Sequence, residues 1–488
     1  MTALLGRRAV AAVVGALAMA GSATAMVLGL AAPAYAEGDS AADTGRPPAT
    51  LGGYHTPGYR LAAAAPRLVV CAADSERRVA RLGARQRAVN EPLLRECSYD
   101  SVRAAVDAVW RRGTTIYLLP GVYRGEAVTI TGSAGPDCVR CDLQLEGTGQ
   151  RPEDVVLDGA HDHAAGIRAE HANGLYLRNL TTQRYSRSAV EVVWTDGFVL
   201  DRVTSRWNGS HGLAATAVDH GVVADCTTTG NSGAGIATAP VTTVAGARAA
   251  IEVRRCRSSG NLIGYAGGDS VYVHDNDFFG NAVGVSADGQ GSPAGASWQS
   301  HGSFIANRVY GNNLNPYPNV WSGRCAKPPR DRPRDLVCPT AAVPVGSGLV
   351  LAGGARNTYA GNLIYDNWRA GATQYGYARE NRWLGNLVGF DPAGAVAPNG
   401  LDFWWDRTGD RNCWQDNASS WAASWGGVRS SPAQLPNCAR PSAGGVVSDT
   451  WRITSACSGF VAASSSRPKG SRPENCHWLV TPARPTPS

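Results

Sequence analysis

Hydrophobic and polar positions alternate along the middle of the chain in short runs that repeat at a fixed interval. Residues 177–190, 200–213 and 223–236 align without a gap at a period of 23. Alternate side chains of a strand face opposite sides, so apolar residues such as Leu200 and Val203 are expected to point inward. A repeat of this length predicts a stack of coils, each burying its apolar side against the next.

The end of this unit recurs as a six-residue motif: Cys or Asn, three residues, Gly or Asp, then Asn. The copies occupy residues 226–231, 256–261, 276–281, 307–312, 362–367, 381–386 and 412–417. Gly and Asn adopt the left-handed backbone that a sharp corner requires, and stacked Asn side chains can hydrogen-bond between coils. The motif therefore predicts parallel strands joined at corners. Cys226 and Cys256 share one column, close enough for a disulfide or a buried thiol stack.

The segment before the repeats is predicted to cover the open end of the stack. Residues 100–110 are expected to form an amphipathic helix with Asp100 or Ser101 as its N-cap. Its apolar face consists of Val102, Ala105, Val106 and Val109. Residues 115–119 follow as a strand, and a Pro-Gly turn ends it.

This cap, which continues into T-I-Y-L-L-P-G-V-Y, and the Gly-Asn repeats resemble the right-handed β-helix repeat proteins of the pectate-lyase-like superfamily. The resemblance covers residues 98–420. It implies an all-β fold: a single-stranded right-handed parallel β-helix of about nine coils or more, with an N-terminal capping helix and a disulfide-clipped C-terminal tail. The superfamily includes lyases, hydrolases, epimerases, adhesins and proteins without known activity, so the resemblance is specific for fold and not for function.

The N-terminus carries the parts of a secretory signal peptide. Arg7 and Arg8 precede an apolar run over residues 9–30, and a small-residue A-x-A site ends at Ala36. Cleavage there would give a secreted, extracellular protein by the Sec or Tat route. The alternative is an uncleaved membrane anchor, since the run could span a bilayer. The predicted divisions are a signal peptide at 1–36, a flexible linker at 37–66, a Cys-clipped segment at 67–97, the β-helix at 98–420, and a Cys-clipped cap with a Pro-rich tail at 421–488.

The chain has twelve cysteines, all beyond the signal peptide, and an even number favours disulfides in an exported protein. Sequence neighbours suggest the pairs Cys71–Cys97, Cys138–Cys141, Cys325–Cys338, Cys413–Cys438 and Cys457–Cys476. The formal net charge of +7 is too small a bias for 488 residues to indicate a nucleic-acid partner. No second long apolar run follows the signal, so no membrane partner is expected after cleavage.

Candidate chemistry lies on the outward columns of the first predicted sheet, where enzymes of the resembled superfamily usually place it. A lyase needs a base to remove the proton beside a uronate carboxylate and a cation to neutralise the developing charge. Neighbouring coils bring Arg178 beside Asp201 and Arg254 beside His274. The predicted catalytic residues are Arg254, His274 and Asp275; the predicted substrate-binding residues are Arg178, Asp201, Trp298 and Trp321; the predicted Ca²⁺ ligands are Asp275, Asp277 and Asp288.

Two functions remain open on the sequence alone. The first is a secreted carbohydrate-active or carbohydrate-binding β-helix protein, a polysaccharide lyase or hydrolase if it is an enzyme, acting on an acidic extracellular polysaccharide. Its groove would lie between the sheet patch and insertions at 287–300 and 313–347. The second is a non-catalytic cell-surface or matrix protein that binds glycans or proteins. Three carboxylates converging beside an Arg or His would favour the first, and outward columns of alternating salt pairs would favour the second.

Overall fold

The structure is a computed structural model that describes residues 56–60, 66–133, 137–240, 250–287, 299–421, 427–448, 450, 457, 461 and 476–486. The predicted signal peptide and most of the predicted linker lie outside these residues. In the described part of the chain, most of the regular structure is strand, as expected for an all-β fold. No helix there is long and apolar enough to cross a membrane.

The strands are short and follow one another at the corners of successive coils. The first fifteen are β1 Arg67–Val70, β2 Thr115–Leu118, β3 Gly121–Arg124, β4 Val128–Thr131, β5 Gln144–Gly147, β6 Val155–Asp158, β7 Ile167–Glu170, β8 Leu175–Gln183, β9 Val190–Val193, β10 Asp196–Arg206, β11 Leu213–Ala224, β12 Thr227–Thr229, β13 Ala234–Pro240, β14 Ile251–Arg254 and β15 Arg257–Ser259. The remainder are β16 Ile263–Ala266, β17 Val271–His274, β18 Asp277–Phe279, β19 Val283–Ser286, β20 Ser303–Ile305, β21 Arg308–Tyr310, β22 Ser347–Ala352, β23 Thr358–Ala360, β24 Leu363–Tyr365, β25 Ala370–Tyr375, β26 Arg382–Leu384, β27 Leu387–Val388, β28 Phe403–Trp405, β29 Cys413–Gln415, β30 Ala418–Ser419 and β31 Ser430–Ser431.

Helical segments are few and lie outside the coils or in their loops. The α-helices whose full length lies within the described residues are α1 Ser75–Val79, α2 Ala84–Leu94, α3 Val102–Asp107 and α4 Tyr317–Trp321. Single 3₁₀ turns occupy Pro152–Asp154, Arg324–Ala326, Pro329–Asp331 and His477–Leu479.

The strands stack as three parallel sheets, so that β2 to β31 form eleven coils within the described residues. The first sheet contains β1, β2, β5, the start of β8 and β10, the end of β11, and then β14, β17, β20, β23, β26 and β29. The second contains β15, β18 and β21, and the third contains β13, β16, β19 and β22, with their counterparts in other coils. The predicted parallel coil is therefore confirmed.

The interior is filled by the apolar side chains that the alternation predicts. Leu177 and Leu200 occupy one column of the first sheet and are buried. Further along the stack this column becomes aromatic: the rings of Phe304, Tyr359 and Trp383 lie face to face, with centroids 4.9 Å and 4.0 Å apart. Equivalent side chains one coil apart bury their apolar area against each other, which stabilises the stack.

The corners carry the asparagine ladders that the repeated motif predicts. In one ladder each side-chain amide donates to the next side-chain oxygen at 2.8–3.1 Å, through Asn208, Asn231, Asn261, Asn281, Asn312, Asn367 and Asn399. A second ladder runs through Asn276, Asn307, Asn362, Asn386 and Asn417. Gly280, at a φ of 63°, supplies the left-handed turn before Asn281.

Six disulfides join the twelve cysteines, all of which lie within the described residues. The pairs are Cys71–Cys97, Cys138–Cys141, Cys226–Cys256, Cys325–Cys338, Cys413–Cys438 and Cys457–Cys476. The five pairs suggested by sequence proximity are confirmed. Cys226 and Cys256 share a column in successive coils, as predicted, and are joined by a disulfide.

Both ends of the stack are covered. At the amino-terminal end, α3 buries Val102 and Val106 against the first coils, with Ser101 as its N-cap. The helix ends at Asp107, three residues before the predicted boundary. At the carboxyl-terminal end, Ser442 accepts a hydrogen bond from the backbone N–H of Asn412 at 3.0 Å, which continues the corner pattern one step beyond the last coil.

The long insertion between β21 and β22 packs against the outside of the third sheet, not over the first sheet where a groove was expected. It contains α4 and shares an apolar cluster with Trp478 and Leu479 from the C-terminal region. The outward residues of the third sheet in this cluster are apolar, and they include Ile263, Val283 and Val350. Exposure of these apolar side chains to water would be unfavourable. The insertion buries them, which explains its position.

Candidate functional site

The outward columns of the first sheet carry the charged residues that the sequence places there. Arg178 on β8 lies in register with Asp201 on β10, and Arg254 on β14 lies in register with His274 on β17. The predicted neighbour relations are therefore confirmed. They form two separate groups, because three coil spacings separate Arg178 from Arg254.

Glu252 is the residue that organises the second group, and the sequence did not single it out. One of its carboxylate oxygens, Oε1, accepts from Arg254 Nη1 at 3.0 Å and from His274 Nε2 at 2.9 Å. The Glu252 side chain is only 5% exposed. Its register neighbours are Val222 and Tyr272, so no stacked row of acids explains its burial. The signal that the sequence carried is a single acid in an outward column between Val222 and Tyr272.

His274 is held between two carboxylates. Its Nε2 faces Glu252, its Nδ1 lies 2.8 Å from Oδ2 of Asp275, and its ring stacks on Tyr272 with centroids 4.1 Å apart. Burial lowers the pKa of His274, but the hydrogen bonds with the two carboxylates outweigh it, and the pKa lies above its ordinary value. The side chain of Asp275 is 60% exposed, so it is the partner that a ligand could replace.

A groove of about 340 Å³ adjoins this cluster at the corner between the first and second sheets. Its lining consists of Arg255, Cys256, Arg257, Asp275, Asn276, Asp277, Ala306 and Arg308. Arg255 forms a two-bond ion pair with Asp225 at 2.8 Å and 2.6 Å, and Arg308 forms one with Asp277 at 2.5 Å and 2.6 Å. Arg257 is exposed. With Asp225 included, three guanidinium groups face three carboxylates, so an anionic ligand would have to replace one of these carboxylates.

The aspartates predicted to bind Ca²⁺ have other partners. Both carboxylate oxygens of Asp277 accept from Arg308, and Asp275 faces His274. Asp288 lies outside the described residues. Within the described ranges, no three His, Cys, Asp or Glu side chains converge as an ion requires. Asp275 and Asp277 therefore do not fit a Ca²⁺ site in this arrangement, and a role for the ion stays a prediction.

Of the predicted substrate-binding residues, Arg178 and Asp201 lie together, and Trp321 lies elsewhere. Nε of Arg178 lies 3.5 Å from Oδ2 of Asp201, and the guanidinium carbon of Arg178 lies 4.3 Å from the ring centre of Tyr59. Trp298 lies outside the described residues. Trp321 is half-buried in the apolar cluster of the insertion, on the side of the third sheet. Its position follows from the need to cover that sheet.

The repeated coil also matches a protein family by sequence. The family described as right handed beta helix region matches residues 147–314 and 188–388. These ranges include six of the seven corner motifs, all but 412–417, and the cluster around Glu252. The chain is a right-handed parallel β-helix. The fold that the sequence predicted is thereby confirmed.

Several solved structures are similar to this β-helix. The A-module of mannuronan C-5 epimerase AlgE4 from Azotobacter vinelandii is 15% identical, with a TM-score of 0.41 over 69% of this chain and 93% of that chain. Pectate lyase Pel9A is 13% identical, with a TM-score of 0.37 over 75% and 78%. The Agl-KA catalytic domain is 11% identical, with a TM-score of 0.42 over 74% and 66%. No curated protein matches the chain significantly.

Function must therefore be sought in the side chains of this β-helix. The Glu252 cluster places a cationic guanidinium and an imidazole side by side, both oriented by one buried acid. Such a pair can bind a carboxylate and, when the imidazole loses its proton, can accept one from a bound molecule. The raised pKa of His274 means that the neutral ring is populated at a higher pH than in an ordinary histidine.

Proposed function

We propose that this β-helix protein is secreted and carbohydrate-active, and that it binds an acidic extracellular polysaccharide at the Glu252 cluster and the adjoining groove. The observation that carries the proposal is the buried carboxylate of Glu252, which orients both Arg254 and His274 on the solvent side of the first sheet. A charge buried at a single coil contributes little to stacking. It is better explained as the fixed support of a binding or catalytic group.

Lyase chemistry is the reaction that these groups support best. Arg254 would neutralise the carboxylate of a uronate residue. His274, with Nε2 held by Glu252 and Nδ1 released from Asp275, would accept the proton from the carbon beside that carboxylate. The electron pair of that C–H bond forms the new C=C bond as the bond to the neighbouring glycosidic oxygen breaks. The leaving oxygen takes a proton from water, and the hydroxide that remains takes the proton from His274, so that one chain becomes two and the base is restored.

The test is a screen of the mature protein on pectate, alginate and glycosaminoglycans, following the ultraviolet absorbance of unsaturated uronates with Ca²⁺ and with chelator. His274→Ala should lower the rate by about 100-fold or more. His163→Ala, in the loop after β6, is the matched control and should leave the rate unchanged. A rate equal in both variants would rule out His274 as the base, and a chelator effect would support the Ca²⁺ prediction.

A second candidate, a non-catalytic β-helix that binds glycans, is favoured by one feature of the outer surface. Charged side chains there lie in complementary pairs, as in Arg255 with Asp225 and Arg308 with Asp277. The same screen separates the two candidates when glycan binding is measured in parallel by calorimetry. Binding without any unsaturated product would leave the binding protein as the function.

A further inference from the structure

A short segment ahead of the first strand lies against the outer face of the first sheet. Residues 56–60 belong to the predicted linker, and we call them the N-terminal strap. The hydroxyl of Thr56 donates to the carbonyl of His220 at 3.1 Å. The backbone N–H and C=O of Arg60 both bond to the side chain of Gln144, at 3.0 Å and 3.1 Å. Both ends of the strap are thus fixed to coils of the β-helix.

The middle of the strap contacts a predicted substrate-binding residue. The hydroxyl of Tyr59 lies 2.9 Å from each carboxylate oxygen of Glu146, and its ring packs edge-on against Tyr176. The guanidinium of Arg178 lies over the same ring. Burial raises the pKa of Tyr59 and the charge of Glu146 adds to it, so the phenol keeps the proton that it donates. The outward face of Arg178 is therefore occupied by the chain itself.

The strap runs along the stack and not along the strands. Thr56 contacts the coil of β11, Tyr59 contacts the coil of β8 and Arg60 contacts the coil of β5. Thr56 and Tyr59 contact coils that are two spacings apart, which is about 9.5 Å. The three residues from Thr56 to Tyr59 reach about 10 Å when they are extended. The strap is thus nearly extended and parallel to the axis of the β-helix. A linear polymer that advances by one unit per coil would follow the same path.

The surface beneath the strap is suited to such a polymer. Four residues on this path point outward from the first sheet and are nevertheless buried: Tyr176, Val199, Val222 and Ala224. Charged groups border them at Arg178, Asp201 and Glu146. An apolar strip with polar edges is the kind of surface on which sugar rings bind, since their C–H groups bury apolar area while their hydroxyls hydrogen-bond.

We propose that the outer face of the first sheet from Gln144 to Val222 is a channel for the linear polysaccharide of the proposed function, and that the N-terminal strap occupies it as a competitor within the same chain. This proposal rests on the proposed function, and it adds a location and a regulation to it. The channel adjoins the Glu252 cluster, because β11 pairs directly with β14. A glycan bound at the cluster and extending toward β5 must displace the strap.

The strap is held by contacts that a ligand can replace. Its anchors are hydrogen bonds in which at least one partner is a side chain, and one ring packed beside a guanidinium, on a face where Tyr59 is 38% exposed. No strand of the β-helix pairs with it in the described part of the chain. Loosening the strap should therefore leave the coils intact and increase the fraction of molecules with an open channel.

The experiment compares the mature protein with Tyr59→Ala and with Tyr377→Ala, a tyrosine of similar exposure in the loop after β25. Binding of oligogalacturonate and of oligomannuronate is measured by calorimetry. If the strap closes the channel in nine molecules of ten, opening it tightens the apparent affinity about tenfold. Tyr59→Ala should show that gain, and Tyr377→Ala should bind like the parent protein.

Each other outcome is decisive. If the parent binds and Tyr59→Ala binds equally or more weakly, the strap is not a competitor and the proposal fails, while the proposed function stands. If none of the three proteins binds either oligomer, the proposed function fails and the competitor proposal fails with it. Hydrogen exchange supplies an independent measure: the Arg60 amide, which donates to Gln144, should exchange faster when oligomer is bound. Unchanged exchange at saturation would also overturn the proposal.

Discussion

The ladder through Asn281 and the cluster around Glu252 both bury polar side chains, but by opposite means. In the ladder each asparagine repeats the one below it, so every donor and acceptor finds the same partner one coil away. In the cluster, a single carboxylate gathers an arginine and a histidine from two strands. Because the same contact is repeated from coil to coil, the ladder can be explained by its contribution to the stability of the fold alone. The cluster interrupts the pattern of its column, and that interruption is what makes it a candidate for function.

The first way to test this contrast is to interrupt the ladder. Oδ1 of Asn281 accepts from the backbone N–H of Asn261 at 2.9 Å and from its side-chain amide at 3.1 Å. Asn281→Ala leaves a buried donor without an acceptor, so the free energy of unfolding should fall by about 3 kcal/mol. Urea denaturation measures the loss. The exposed Asn437→Ala is the control and should change stability by less than about 0.5 kcal/mol. Equal losses would show that the ladder adds nothing beyond an ordinary surface asparagine.

A second test asks whether the disulfide and the ladder are interchangeable. Cys226 and Cys256 occupy the corner column that Asn276 continues, and the backbone N–H of Cys256 donates to Oδ1 of Asn276 at 2.8 Å. Replacing both cysteines by alanine should lower the free energy of unfolding by about 3 kcal/mol. Replacing both by asparagine should recover about 1 kcal/mol of that loss, because the new side chains extend the ladder. Thermal and urea unfolding of the two double variants supply the measurement.

The comparison would be wrong if the asparagine double variant were as unstable as the alanine one. That result would mean that the corner after β11 cannot hold the ladder geometry. The backbone φ angles at the two corners are nevertheless similar: 52° for Asp225, which precedes Cys226, and 55° for Asp275, which precedes Asn276.

The same contrast explains what the sequence could predict. The period of 23 fixes which residues stack, so the register of Arg178 with Asp201 followed from alignment. Corner asparagines, the capping helix and the cysteine pairs followed from local motifs. The alignment could place Glu252 in an outward column. Its importance depends on the hydrogen bonds that Arg254 and His274 both make to its Oε1 atom, and the periodicity of the sequence does not predict them.

Two other features were beyond sequence reasoning for a different reason. The strap has no alternation or motif, and its partners lie 82 or more residues away, as Asp142 does from Arg60. The insertion between β21 and β22 interrupts the repeat, so its direction could not be read from the alignment. Its position depends on the apolar outward face of the third sheet, which only the assembled coil reveals.

The smallest expected effect concerns the proton on His274. Its pKa is raised because hydrogen bonds with Glu252 and Asp275 outweigh burial. A raised folded-state pKa stabilises the protein fully below the unfolded pKa, and that stabilisation is lost as the pH rises through the folded pKa. Asp275→Asn removes one of the two charges, so His274 should titrate at a lower pH than in the parent. NMR titration of the imidazole measures this directly.

Asp416→Asn is the matched control, because Asp416 occupies the same corner column at the same φ of 55° in the last coil. It should leave the titration of His274 unchanged. If lyase activity is found, the rise of its rate with pH should shift to lower pH in Asp275→Asn, since the base becomes neutral earlier. A titration unaltered by Asp275→Asn would show that Glu252 alone sets the charge of His274. Asp275 would then not be the partner that a ligand replaces, and Nδ1 would already face solvent.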